Sequence, residues 1–173
     1  MIFFRRRLPA DRRPALARDE RVVAWAAAAD AATVVVTNLG LYLPGAAERL
    51  DWHRILKATW DERALTVTAA REGAARDGYA VVADDVPRRY ALADPGDVPH
   101  QVRTRVTGSV GYTVHGAVPG GGARVAGRRV AGADGLVWTV RYDPGTPADD
   151  PQVVAATDAL VAAARASATP TDL

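Results

Sequence analysis

Between Glu20 and Thr68 the chain repeats one pattern. Short runs of β-branched, aromatic or alternating apolar residues each end at a turn signal. Val22, Val23 and Trp25 form the first run, and Asp30-Ala31 closes it. Thr33-Val-Val-Val-Thr-Asn38 follows; Leu39, Leu41 and Leu43 then alternate with Gly40 and Tyr42 as far as Pro44-Gly45. β-Branched residues suit a pleated surface, and period-two alternation marks a half-buried strand. Proline and glycine stop such runs. Runs this short and this closely spaced build an antiparallel sheet, not a helical bundle.

The next strand starts near Glu48. Leu50 and Trp52 share one face, Ile55 falls on the other, and Leu56, Ala58 and Trp60 return to the first. A bulge or sharp bend near His53-Arg54 would reconcile the two registers. Leu65 to Thr68 is a further strand, Arg71 to Gly78 a charged loop, and Tyr79–Ala83 and Arg89–Leu92 are short strands. Val98, Val102 and Val106 recur every four residues, one stripe of a short helix over 97–107. Asp97 is its N-cap, Pro99 lies in its first turn and Gly108 is its stop. Period two then returns at Val110, Tyr112 and Val114, and Pro119-Gly-Gly-Gly122 is a hairpin turn. Strands over 124–130 and 136–142 flank the turn Gly132-Ala-Asp-Gly135. Asp150-Pro151 pairs an N-cap with proline at the first helical position and opens an alanine-rich C-terminal helix. A fraying tail is expected over 167–173. The order is about six strands, a helix, three strands and a helix.

Composition excludes several chemistries. There is no cysteine, so disulfides, thiolate–zinc sites and thiol nucleophiles are ruled out. At 173 residues, folding buries roughly two thirds of the unfolded chain's surface, and no cross-link or metal is needed for a core. Lys57 is the sole lysine, so the abundance of arginine reads as a compositional bias, and as weak evidence for phosphate recognition. No stretch approaches the roughly 18 apolar residues of a membrane span. Met1-Ile-Phe-Phe-Arg-Arg-Arg7 puts its apolar residues before its charges, the wrong order for a secretory signal. The expected location is the cytoplasm or the inner face of its membrane.

Charge is unevenly spread. Residues 1–18 hold six arginines against Asp11, a net of +5, so the rest of the chain carries −3 of the total of +2. Pro9 and Pro14 break any helix there, and an extended or disordered arm is expected. Arg5, Arg6, Arg7, Arg12 and Arg13 are the candidate contacts to an anionic lipid surface, each contributing about 1 kcal/mol near the membrane. Phe3 and Phe4 would insert beside them. The same arm could take nucleic acid through counterion release, or be a solvated tail. Nucleic acid ranks below lipid because the body lacks aromatic-basic runs.

Two segments carry a resemblance. Thr37-Asn-Leu-Gly-Leu-Tyr-Leu43 and Leu50-Asp-Trp52 with Ile55 resemble paired strands of bacterial pleckstrin-homology-like domains, including GRAM-type domains. The likeness covers residues 19–107 and implies a partly open barrel with the helix near 97–107 as its cap. Gly40 stands where that pattern has arginine, so no role of that arginine carries over. The whole chain is also similar to a family of uncharacterised actinobacterial proteins, which implies no activity.

Catalytic constellations are absent from the pattern. His53 reads as a polar turn residue, and His100 and His115 have no second ligand at metal spacing. Gly108-Ser-Val-Gly111 is not a nucleophile elbow. Asp84-Asp85 and Asp149-Asp150 read as loop and cap, and Gly120-Gly-Gly122 lacks the lysine of a phosphate loop. Trp25, Trp52, Trp60 and Trp138 read as core. Thr171-Asp-Leu173 matches a PDZ ligand by chance.

The expectation is therefore an α+β protein: a bent antiparallel sheet or partly open PH-like barrel with a short capping helix, then three further antiparallel strands and a C-terminal helix. Its parts are a basic arm over 1–18, a β-rich domain over 19–107, an extension over 108–166 sharing its core, and the tail. No cofactor or metal is implied. The expected role is a non-catalytic interaction module for a protein or peptide, or a peripheral membrane module using the arginine arm.

Overall fold

A computed structural model describes residues 6–169. The fold is mixed α+β, dominated by antiparallel pairing, and its sheet is not closed. Two compact units divide the chain: residues 6–69 with 86–107, and residues 70–85 with 108–169.

Unit 1 contains β1 (Val22–Ala28), β2 (Thr33–Thr37), β3 (Gly40–Tyr42), β4 (Leu50–Asp51), β5 (Ile55–Trp60) and the first half of β6 (Ala64–Arg76). All pair antiparallel with their neighbours. Between Trp52 and Arg54 the chain makes one 3-10 turn, the bend that the register of Leu50, Trp52 and Ile55 demands. A second irregularity between Ile55 and Lys57 completes the correction.

Val34, Val36, Leu41 and Ile55 are fully buried in one apolar cluster. Each such side chain contributes about 1.5–3 kcal/mol by leaving water.

Beyond unit 1's share, β6 continues to Arg76, where a charged loop is expected. Arg71 and Glu72 are exposed, yet their main chains pair with Ala83 and Val82 of β7 (Tyr79–Asp84). A ladder needs only backbone groups, so side-chain polarity did not reveal it. The turn Asp77-Gly78 closes the hairpin, and Gly78 takes the left-handed φ of 80° that glycine adopts freely.

The chain then returns to unit 1 as β8 (Arg88–Ala93), which pairs antiparallel with β1 and β6. Unit 1 thus has the strand order β4-β3-β2-β1-β8-β6-β5. Its first and last strands are separated in sequence by that one turn, so the sheet curls strongly. α1 (Val98–Gly108) sinks Val98 and Val102 into the unit 1 cluster, with Val106 packed against it, as the four-residue spacing predicts.

In unit 2, β9 (Val110–Val118), β10 (Gly121–Arg129) and β11 (Leu136–Tyr142) form an antiparallel meander. One pairing corrects the antiparallel expectation: β11 runs parallel to β7, with Thr139 opposite Ala80 and Val140 opposite Val81. Parallel neighbours need a long crossover, and the intervening β8, α1, β9 and β10 supply it.

α2 (Pro151–Ala168) packs on β9 and β10 and buries Val153, Thr157, Val161 and Ala164. Its N-cap is Asp150, whose carboxylate accepts from Gln152 N at 2.8 Å, with Pro151 at the first helical position. The helix keeps Ser167 and Ala168, two residues that the sequence assigns to the fraying tail. Residues 170–173, including the PDZ-like terminus, lie outside the described residues.

Candidate interaction surface

The basic arm is fastened to unit 1 from Arg6 onwards. Trp25 Nε1 donates to the Arg6 carbonyl at 2.8 Å, and the Arg6 guanidinium lies 5.2 Å from the centre of the Trp25 ring. The same guanidinium pairs with Asp94 at 2.8 Å. Arg6 is therefore engaged, whereas Arg7 and Arg13 are exposed and Arg12 half-buried, none in an ion pair among the described residues. Arg5 lies outside the described residues. Trp25, expected as core, is half-buried and serves as the arm's platform; Trp52 and Trp138 are core. Replacing Trp25 with alanine removes both the donor and the ring face. Trp25→Ala is expected to speed tryptic cleavage at Arg7, Arg12 and Arg13 at least several-fold while leaving the far-ultraviolet spectrum unchanged. Unchanged cleavage would show that other contacts hold the arm.

Farther along, the arm meets Glu20, whose side chain is wholly buried. Its carboxylate accepts from Thr37 Oγ1 at 2.6 Å, Arg49 Nη1 at 2.9 Å, Ala17 N at 3.0 Å and Tyr42 OH at 3.1 Å. Burial pushes the Glu20 carboxyl up, but these donors and the Arg49 charge outweigh it and hold the group below the ordinary glutamate value. Arg49 also donates to Asp51 at 2.7 Å. Next to Thr37, Asn38 accepts from Arg21 N and donates to the Asp19 carbonyl. The polar residues Thr37, Asn38 and Tyr42 thus tie residues 15–21 to the sheet. Gly40 has a steric role: a Cβ there would lie 2.5 Å from the Leu50 carbonyl oxygen and 2.7 Å from Arg49 Cγ. The Arg49 stem occupies the space that a side chain at position 40 would need.

Unit 2 has its own polar hub. The Arg76 guanidinium sits 5.9 Å and 5.8 Å from the ring centres of Tyr79 and Tyr142. It donates to Tyr142 OH at 2.7 Å and to the Ala148 carbonyl at 3.0 Å. Tyr79 OH donates to Asp158 and Tyr142 OH to Thr157 Oγ1, each at 2.7 Å, since the Thr157 hydroxyl itself donates to the Val153 carbonyl. Burial opposes the Arg76 charge, but the two phenol oxygens hold its pKa above the ordinary arginine value. These bonds join strands β6, β7 and β11 to α2. The Arg76, Tyr79, Tyr142 and Thr157 side chains are each bonded to another part of the fold, so the hub is a fastener.

The candidate catalytic residues are dispersed. Ser109 is buried and accepts from Arg128 at 3.1 Å. His115 Nε2 lies 2.8 Å from Asp143 Oδ2, and both side chains are about half exposed. His53 sits on the 3-10 turn after β4, and His100 is exposed on α1. Asp84 pairs with Arg141 at 2.9 Å, and Asp150 is the α2 cap. Pro119-Gly120 is the hairpin turn between β9 and β10, with Gly120 at φ 75°. No group of three His, Cys, Asp or Glu side chains able to hold a metal occurs among the described residues, and no helix there is long and apolar enough to cross a membrane.

β9 is an edge strand of unit 2, as β4 and β5 are of unit 1. Among the described residues it pairs with β10 alone and ends the strand order of its unit. The Gly122 carbonyl accepts from Asp143 N at 2.9 Å, so Gly122 turns its main chain away from β9. Its partner Ala117 must then turn its N–H and C=O to the open side, and alternation assigns the same direction to His115 and Thr113. Over nine residues β9 contains no proline and no Asp, Glu, Lys or Arg. Natural edge strands are usually guarded by charge, proline or brevity; this one is nine residues long without proline, and its charge is confined to His115 and the Asp143 carboxylate beside it. The even-numbered residues face α2, with Tyr112 and Val114 packed half-buried on its cluster.

No family model matches the chain, and no curated protein and no solved structure matches it either.

Proposed function

We propose that the protein is a non-catalytic interaction module that binds an extended segment of protein by adding it as a strand beside β9. One observation carries this reading: a nine-residue edge whose Thr113, His115 and Ala117 main chains point outward with no partner strand among the described residues. In this mode main-chain hydrogen bonds supply affinity and alternate side chains supply selectivity. The burial of Ser109 against Arg128 supports the non-catalytic part.

The direction of the main chain gives a clean test. Proline at 113 deletes an outward donor and leaves the β10 ladder intact, whereas proline at 114 breaks that ladder. Selection from a displayed library of extended peptides is expected to yield ligands that bind the wild type and lose at least tenfold in affinity against Thr113→Pro. Ligands indifferent to Thr113→Pro would refute edge recognition.

Unit 1 we read as PH-like. The strands that hold Thr37–Leu43 and Leu50–Ile55 are neighbours, the sheet ends converge through one turn, and α1 fills the core. A second role rests on the exposure of Arg7 and Arg13: contact with an anionic membrane by the arm. Co-sedimentation with anionic vesicles is expected to fall with salt and with Arg7→Ala/Arg13→Ala. Absence of binding at low salt would remove this role.

A further inference from the structure

We infer that the segment paired along β9 is the β9 of a second copy of this chain, in an antiparallel register centred on Val114. The inference rests on the edge-binding reading above and names its occupant.

Three observations fit a second copy. The first is size. A two-fold axis through Val114 sets Tyr112 opposite Gly116 of the second copy, Val114 opposite its own mate, and Val110 opposite Val118. The largest side chain of the strand thus meets the position with none. The place of a side chain at Gly116 is taken by Leu160 of α2, whose Cδ2 would lie 2.6 Å from a Cβ there, so Tyr112 of the second copy meets an apolar side chain. The second observation is charge. On the other face, His115 stands opposite Thr113 of the second copy, and no like charges meet. The third is hydrogen bonding. Thr113 and His115 both turn their main chains outward, so this register makes them a hydrogen-bonded pair that exchanges both bonds. Val114 turns its main chain to β10 and occupies the non-bonded position at the axis. A one-residue slip would set outward groups against inward ones and pair the α2-side row with the opposite face. Identical strands satisfy all three conditions at once, and a C2 contact closes after one partner.

The absence of cysteine makes the register directly readable. Residues opposite each other in a non-bonded pair have Cα atoms about 4.5 Å apart, inside the disulfide range of roughly 4.4–6.8 Å. The full chain is expected to sediment as a monomer–dimer equilibrium from micromolar to millimolar concentration, and Thr113→Pro as a monomer throughout. Under mild oxidation Val114→Cys is expected to form a covalent dimer, whereas Ala117→Cys, opposite Gly111 of the second copy, stays uncross-linked. Wild-type protein that remains monomeric at every concentration would overturn the proposal, as would Ala117→Cys cross-linking as readily as Val114→Cys. If Val114→Cys does not fold, the wild-type and Thr113→Pro sedimentation decides. A monomer that still binds displayed peptides in a manner abolished by Thr113→Pro would overturn the second copy and leave edge recognition standing.

Discussion

Glu20→Gln is expected to destabilise unit 1 by about 2–3 kcal/mol at neutral pH, the usual worth of hydrogen bonds to a charged group. The replaced carboxylate is wholly buried and accepts four hydrogen bonds, from Thr37, Arg49, Ala17 and Tyr42. An amide offers one acceptor oxygen and turns its NH2 donors on groups that are themselves donors. Arg49 would keep Asp51, so its own charge is not stranded. The effect has a pH signature. Glu20 titrates below the ordinary glutamate value of 4.5 in the folded protein. The unfolded chain therefore binds the proton first, and the stabilisation from Glu20 is complete above about 4.5 and is lost as pH falls through the lower folded value. Asp61, held at about 2 by the hydrogen bond from Arg89, adds an acid limb between 3.8 and about 2. Urea midpoints against pH should show the wild type losing stability below 4.5 and Glu20→Gln losing less across that interval. Equal midpoints at pH 7 would mean that the hub does not stabilise the fold.

Gly40→Arg is expected to be the more damaging change, although arginine is the residue that the pattern resembled by Thr37–Leu43 has at this place. The new Cβ would press on the Leu50 carbonyl oxygen at 2.5 Å, and that oxygen belongs to β4, paired with β3. Backbone in a ladder cannot step aside cheaply. Overpacking alone costs about 1–3 kcal/mol, and displacement of the Arg49 stem would pull its guanidinium from Glu20. Gly40→Arg should fail to give soluble folded protein, and Gly40→Ala should fold with a lowered urea midpoint. Arg49→Ala in the Gly40→Ala background should recover little, because the Leu50 oxygen remains. Wild-type stability of Gly40→Ala would show that β4 shifts freely.

Much of unit 1 was legible because its signals are local. Val34 and Val36 announce a buried strand, and Val98, Val102 and Val106 announce a helix face. Asp150-Pro151 announces a helix start for the same reason. What was hidden depends on partners far along the chain. Glu20 looks like a solvated residue before a strand, and only the arrival of Thr37, Tyr42 and Arg49 makes it a hub. Arg76 lies in a run of charge, and its partners Tyr142 and Ala148 are 66 and 72 residues away. The exposed stretch from Arg71 to Ala75 forms a strand through main-chain bonds that leave no side-chain pattern. The excursion of residues 70–85 into unit 2 and the parallel pairing of β7 with β11 are matters of topology. For β9 the alternation was plain, but alternation does not tell an edge strand from a central one.

Amide hydrogen exchange resolved along β9 in dilute protein tests the central claim most directly. If β9 is an open edge, the amides of Thr113, His115 and Ala117 exchange rapidly. Those of Tyr112, Val114 and Gly116, bonded to β10, are protected by orders of magnitude more. Raising the concentration should then slow the first set, as the edge takes up its partner. Uniform protection along the strand in dilute protein, or fast exchange of Thr113 and His115 at every concentration and with every peptide, would contradict the account.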